Sequence, residues 1–217
     1  MSRGFVLLAA GGTGGHLFPA FALAEELARR GIAVDLVTDD RGDRYGTGFP
    51  AGAVHQIPSA TFAGHSPVAA AKAAGRLVSG VRRAHALLGT LKPGAVVGFG
   101  GYPTFPPILA ATMRAIPTVI HEQNAVMGRA NRILARRVSR IAASYEGTRR
   151  LPPGSEARVV VTGNPVRAAV IEAGKKPYRP PSAAGPLMLV AVGGSQGARV
   201  LSDLLPPALA ALAQSVR

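Results

Sequence analysis

The feature that most restricts how this chain can fold is a short apolar run, Phe5–Ala10, which breaks directly into the turn GGTGGH (11–16) and then into a helical pattern. A strand that enters a tight glycine turn and leaves as a helix aims backbone N–H groups and the positive helix end at one point. Glycines there permit positive φ and let an anion approach the backbone closely. The unit recurs: LAAGGTGG (8–15) and VAVGGSQG (190–197) align without a gap, with GGSQG (193–197) as the second turn. A nucleotide-type α/β protein is therefore predicted. GGTGGH fails the dinucleotide pattern GxGxxG because residue 17 is Leu, and it lacks the Lys-Ser/Thr of a P-loop. A purely structural turn is the alternative reading for one such motif. A third glycine-rich strand end, GFGGYP (98–103), weighs against it.

Apolar runs alternate with helical stretches along the chain, which predicts an open, doubly wound parallel sheet with right-handed crossovers. Strands are expected at Phe5–Ala10, Ala33–Thr38, Ala53–Pro58, Ala95–Phe99, Pro117–His121, Val138–Ser144 and Arg158–Thr162. Helices are expected at Pro19–Arg30, Pro67–Leu91, Thr104–Arg114 and Gly128–Arg136, with Gly31 as a C′ glycine. Residues 39–52 read as a loop. From 163 to 186 the chain turns rich in Pro, Gly and basic residues (GKKPYRPPSAAGP), the composition of a linker. A strand at Leu187–Val192 and a helix from Ala198 then open a second unit. The expected organisation is a first domain at 1–162, a linker at 163–186 and the start of a second domain at 187–217. A lone strand–helix unit cannot bury its own faces, so the chain is expected to be incomplete in that second domain.

Lys and Arg number 25 against 11 Asp and Glu, a formal charge of +14, which favours anionic partners: phosphate esters, nucleic acid or an acidic lipid leaflet. Nucleic acid loses ground because the chain has 4 Tyr, 7 Phe and no Trp, and no aromatic-interleaved basic stripe. There is no cysteine, and the histidines at 16, 55, 65, 85 and 121 lack paired ligand spacing, so neither metal nor cofactor is expected. No apolar run reaches the roughly 18 residues of a membrane span.

Several side chains are candidates for chemistry. His16 sits at the mouth of the first turn, where it could act as general base or phosphate donor, or simply cap the helix. HEQN (121–124) follows a strand end and offers Glu122, Gln123 and Asn124 on the ligand-binding edge of such a sheet, unless these only satisfy loop backbone. Arg167 in GNPVR could fork onto a phosphate, or be one surface arginine among many. Between 68 and 92, Leu77, Val78 and Val81 share a helical face flanked by Lys72, Arg76, Arg82, Arg83 and Lys92. This fits an interfacial patch for anionic lipid, although an ordinary core-facing stripe is the stronger reading of the pattern alone.

Five motifs in order, LLAAGGTGGHLFPAFALA, VVGFGGYPTFPPILAA, IPTVIHEQNAVMGRANR, VTGNPVR and VAVGGSQGAR, give the chain a close resemblance to the bacterial peptidoglycan glycosyltransferases of family 28. The resemblance implies a GT-B architecture of two Rossmann-like domains facing a cleft, inversion at the anomeric carbon and no metal. It implies transfer of N-acetylglucosamine from UDP-N-acetylglucosamine to undecaprenyl-pyrophosphoryl-MurNAc-pentapeptide (lipid I), giving lipid II. The work is then cell-wall biogenesis, tied to cell shape, cell cycle and cell division. Its place is peripheral, on the cytoplasmic side of the inner membrane, with an anionic membrane surface as partner and no nucleic acid. By motif match His16 is the base, while the sequence leaves open whether Glu122 shares that task. Thr13, Gly14, Gly15, Asn124, Arg167 and Ser195 meet UDP-N-acetylglucosamine. Gly12, Gly100, Gly101 and Tyr102 cradle the acceptor pyrophosphate. Leu77, Val78, Val81, Arg76, Arg82 and Arg83 form the membrane patch. A second class of function is an inactive fragment that only binds lipid pyrophosphate or membrane.

Overall fold

Strands such as VLLA and AVVG have no polar face to give to water, so they must be covered on both sides, and a parallel sheet is the arrangement that does so. The computed structural model describes residues 5–11, 13–39, 48–60, 66–182, 185, 189–193 and 198–212. Within them β1 (Val6–Ala9), β2 (Val34–Thr38), β3 (Val54–Gln56), β4 (Ala95–Gly98), β5 (Thr118–Glu122), β6 (Arg140–Ala143) and β7 (Val159–Val161) form one sheet in the order β3-β2-β1-β4-β5-β6-β7. Every pairing is parallel, with Leu8 opposite Leu36 on one side and Val97 on the other. The predicted doubly wound sheet is present, each strand within two residues of its expected ends.

Alternation along β1 sorts the two faces. Leu7 and Ala9 join Val96, Ile120 and Ile141 against α2 (Pro67–Leu91), α3 (Phe105–Met113) and α4 (Arg129–Leu134). Leu8 and Ala10 join Leu36 and Phe99 against α1 (Gly14–Arg29). The helix α2 follows its predicted span to the residue, but its apolar stripe is corrected. Leu77 is buried and Val81 packs against the core, so of the three apolar patch residues Val78 alone is exposed, at 52%. Arg76, Arg82 and Arg83 stay on the solvent side.

Two further expectations change. Helix α1 begins at Gly14 rather than Pro19, with Thr13 in extended conformation as its N-cap, and Pro19 lies inside it. Its far end runs as read: Gly31 takes φ +71°, and Ile32 N–H reaches back to Leu27 O at 2.9 Å. Within the segment read as linker, Ala168–Gly174 forms a short helix, α5, whose first N–H meets Glu25 Oε2 at 3.3 Å.

The chain divides into two compact units, Met1–Glu172 and Ala173–Arg217. In the second, α6 spans Arg199–Ala210. Leu189–Val192, inside the predicted strand, are exposed and not in a strand, because among the described residues this unit offers no neighbouring strand to bond.

Gly80 tests how tightly α2 sits on the sheet. In an exposed helix, Gly→Ala stabilises by roughly 0.5–1 kcal/mol. Here a Cβ would run into the carbonyl oxygen of Pro58 and lie 3.1 Å from Pro106 Cγ. Gly80→Ala is therefore expected to destabilise by about 1–3 kcal/mol in urea unfolding, reversing the propensity effect.

Candidate active site

Strand order reverses between β1 and β4, and in sheets of this kind that is where the outgoing loops part and a crevice opens at the carboxyl ends. The glycine turn after β1 and the FGG turn after β4 flank it. Thr104 ties the two together: its Oγ1 lies 3.0 Å from Ala9 O and 2.8 Å from Gly100 O. Gly100 and Gly101 take φ of +85° and +74°, a backbone that L side chains rarely adopt. A Cβ on Gly100 would stand 3.2 Å from the His16 ring, so glycine here also makes room for that imidazole.

His16 enters from the first turn of α1. Its Nδ1 is 3.2 Å from Thr13 Oγ1. In the tautomer whose Nδ1–H donates to that hydroxyl, Nε2 carries the free lone pair. Burial pushes the imidazole below its ordinary 6.5, and the Glu122 carboxylate opposes this more weakly. The ring is thus neutral near pH 7 and able to take a proton.

Glu122, from the end of β5, is only 1% exposed. Its Oε1 accepts from Asn124 N–H (3.1 Å) and Asn124 Nδ2 (2.9 Å); its Oε2 accepts from Gly128 N–H (3.0 Å) and Asn131 Nδ2 (2.9 Å). A carboxylate with four donors organises its loop. Gln123 Nε2 donates to Phe99 O at 2.8 Å, pinning the β5 loop to the β4 turn. His121 donates from Nε2 to Gly163 O at 3.1 Å, and burial depresses its pKa also.

One cavity of about 310 Å³ collects His16, Gly100, Gly101, Tyr102, Glu122, Gln123, Asn124, Gly128, Arg129, Ala130 and Asn131. It unites the first glycine turn, GFGGYP and HEQN, which lie far apart in the chain. Arg167 does not line this cavity but lies against α1: its guanidinium carbon sits 4.0 Å from the centroid of the Phe18 ring. That ring in turn would touch a Cβ on Gly14 at 2.8 Å, while Gly15 is exposed. Gly12 and Ser195, both singled out from the sequence, fall outside the described residues. Asn131, Arg129 and Phe18 escaped the sequence reading. Asn131 is ten residues from His121 on another element, and only the fold brings its amide to the carbonyl of His121 at 3.1 Å.

A model of the glycosyltransferase family 28 N-terminal domain matches residues 6–143. The chain is 54% identical, over 100% of its length and 57% of the relative's, to a Mesorhizobium japonicum protein. That protein is named UDP-N-acetylglucosamine--N-acetylmuramyl-(pentapeptide) pyrophosphoryl-undecaprenol N-acetylglucosamine transferase. A Rhodopseudomonas palustris protein of the same name is 56% identical over 94% of the chain and 56% of its own length. The chain thus spans a little over half of these curated relatives. Among solved structures, Acinetobacter baumannii MurG is similar at 32% identity and a TM-score of 0.70, over 97% of this chain and 56% of that one.

The two depressed histidines give stability a pH dependence. Unfolded histidine titrates near 6.5, so below that the unfolded chain binds more protons than the folded one. Stability is expected to fall as pH drops from about 7 through 6.5, and to go on falling until the folded pKa values are passed. Denaturant titrations at pH 7.5 and 5.5 should show a smaller loss for His121→Gln. Glu122→Gln, which turns an acceptor into a donor facing other donors, should cost about 1–3 kcal/mol at neutral pH.

Proposed function

The chain belongs to glycosyltransferase family 28, and from that premise we propose that it forms the acceptor side of an inverting N-acetylglucosaminyltransferase. The donor is UDP-N-acetylglucosamine, and the acceptor is the undecaprenyl-pyrophosphoryl muramyl-pentapeptide, lipid I. The product is lipid II, a peptidoglycan precursor. The observation that carries the reading is the neutral, half-buried His16, aimed into the crevice between two glycine turns with Nδ1 held by Thr13.

In this mechanism Nε2 of His16 takes the proton of an acceptor hydroxyl as its oxygen attacks the anomeric carbon. The bond from that carbon to the UDP oxygen breaks, and its electron pair leaves with UDP. Glu122 holds the loop in place and favours the imidazolium that forms. N–H groups at the start of α1 and the positive-φ turn at Gly100 and Gly101 suit a pyrophosphate. Tyr102 and Gly12 belong to the same acceptor assignment. Thr13, Gly14, Gly15, Asn124, Arg167 and Ser195 are assigned to the sugar nucleotide. The domain division at 1–162, 163–186 and 187–217 goes with it.

We place the protein peripherally on the cytoplasmic side of the inner membrane, with Val78, Arg76, Arg82 and Arg83 toward an anionic surface. Among the described residues no helix is long and apolar enough to cross a membrane. The scarcity of aromatic side chains supports leaving nucleic acid out of the partners.

Transfer of radiolabelled sugar from UDP-N-acetylglucosamine to lipid I tests the activity; acceptor binding with no transfer would select a binding-only function. His16→Ala should lower kcat by roughly 10²–10⁴. Thr13→Ala, which frees the ring but leaves the base, should lose less, and near-normal turnover in His16→Ala would remove His16 from the role.

A further inference from the structure

The geometry points to a second anion subsite beside the crevice: we propose that Arg129, Arg132, Arg136 and Arg150 receive a carboxylate of the acceptor's peptide, a reading that rests on the transferase proposal above. These four guanidiniums, with Ile133 and Pro152, line a groove of about 490 Å³. Arg129, Arg132, Ile133 and Arg136 follow the i, i+3, i+4, i+7 spacing of one helical face, at α4 and just beyond it.

Arg150 approaches from a different segment. Its φ of +63° is uncommon for a residue with a side chain. The backbone beside it is fixed, since Met127 N–H donates to Arg149 O (2.9 Å) and Arg149 N–H donates to Ala125 O (2.8 Å). The fourth cation is therefore held against the groove by a built corner.

Concentrating four positive charges costs free energy unless something negative joins them. Among the described residues no Asp or Glu lines the groove, and Arg132 Nε is buried with no acceptor. A buried donor left unpaired is expensive, and a guanidinium's fork suits a carboxylate. The position selects the ligand. Arg129 lines both this groove and the His16 crevice, so a substituent of a molecule held in the crevice can reach it. The acceptor in the relatives' name carries a pentapeptide, whose carboxylates fit the charge, while Ile133, 60% exposed, offers an apolar contact. A recessed groove with one large apolar side chain is a poor match to a flat bilayer, which draws on broad apolar faces.

Fluorescence anisotropy on the full chain would use soluble muramyl-pentapeptide with free carboxylates and the same molecule with its carboxylates amidated. A short-chain polyprenyl pyrophosphate and phosphatidylglycerol vesicles complete the set. Arg132→Ala and Arg150→Ala should each weaken the free-carboxylate probe about tenfold, the worth of one charge-assisted contact. Arg132→Lys should recover part of the loss. Amidation should weaken binding to the unaltered protein to a similar degree, with polyprenyl pyrophosphate and vesicle binding unchanged in folded variants. Equal affinity for both peptide probes overturns the subsite. So does loss of vesicle binding with peptide binding intact, which would make the groove a membrane contact. Failure of polyprenyl pyrophosphate to bind the unaltered protein would overturn the acceptor reading itself, and this subsite with it.

Discussion

A carboxylate taken out of water must be surrounded by donors, and the shape of the crevice follows from that requirement at Glu122. Its four hydrogen bonds draw in Asn124, Gly128 and Asn131, which closes the loop after β5 and sets where α4 begins. Because α4 starts there, Arg129 faces the crevice and the groove together. The same charge tempers the desolvation of His16 without cancelling it, so the imidazole stays neutral at working pH. One buried group thus sets loop geometry, helix position and the proton affinity of its neighbour.

The sheet was legible because its signal is local. Val6–Ala9 and Ala95–Gly98 are apolar on both faces, as a covered parallel strand requires. Helix ends were harder to read where a rule met an exception. Pro19 suggests a first-turn proline, yet its sixth place in α1 is tolerated because the carbonyl four residues back belongs to Gly15, at the exposed start of the helix. The helix Ala168–Gly174 was hidden by the Pro-rich, basic stretch that follows it. In α2 the spacing of Leu77, Val78 and Val81 defines a face but not which way it points. Adjacent residues on a helix lie about 100° apart, so Leu77 can go inward while Val78 goes out.

Within the site, legibility followed the same division. His16, Gly100, Gly101, Tyr102 and Asn124 stand in motifs at strand ends, and the sheet topology alone sends those ends to one edge. Asn131 and Arg129 have no such motif. Their roles depend on how far α4 is pulled toward Glu122, a tertiary distance that no local pattern encodes.

The charge excess makes the same point about position. A formal +14 says only that anions are welcome. Most of these cations are solvated, as Arg29 and Arg30 are beside Glu26, where exposure leaves an ion pair worth little. Arg132 differs because part of its guanidinium is buried without an acceptor, beside three more arginines and no acid. Arg167 differs in another way, stacked on Phe18 where the cation gains from the face of the ring. What sets these two apart from a solubilising arginine is therefore the acceptor that one lacks and the ring that holds the other still.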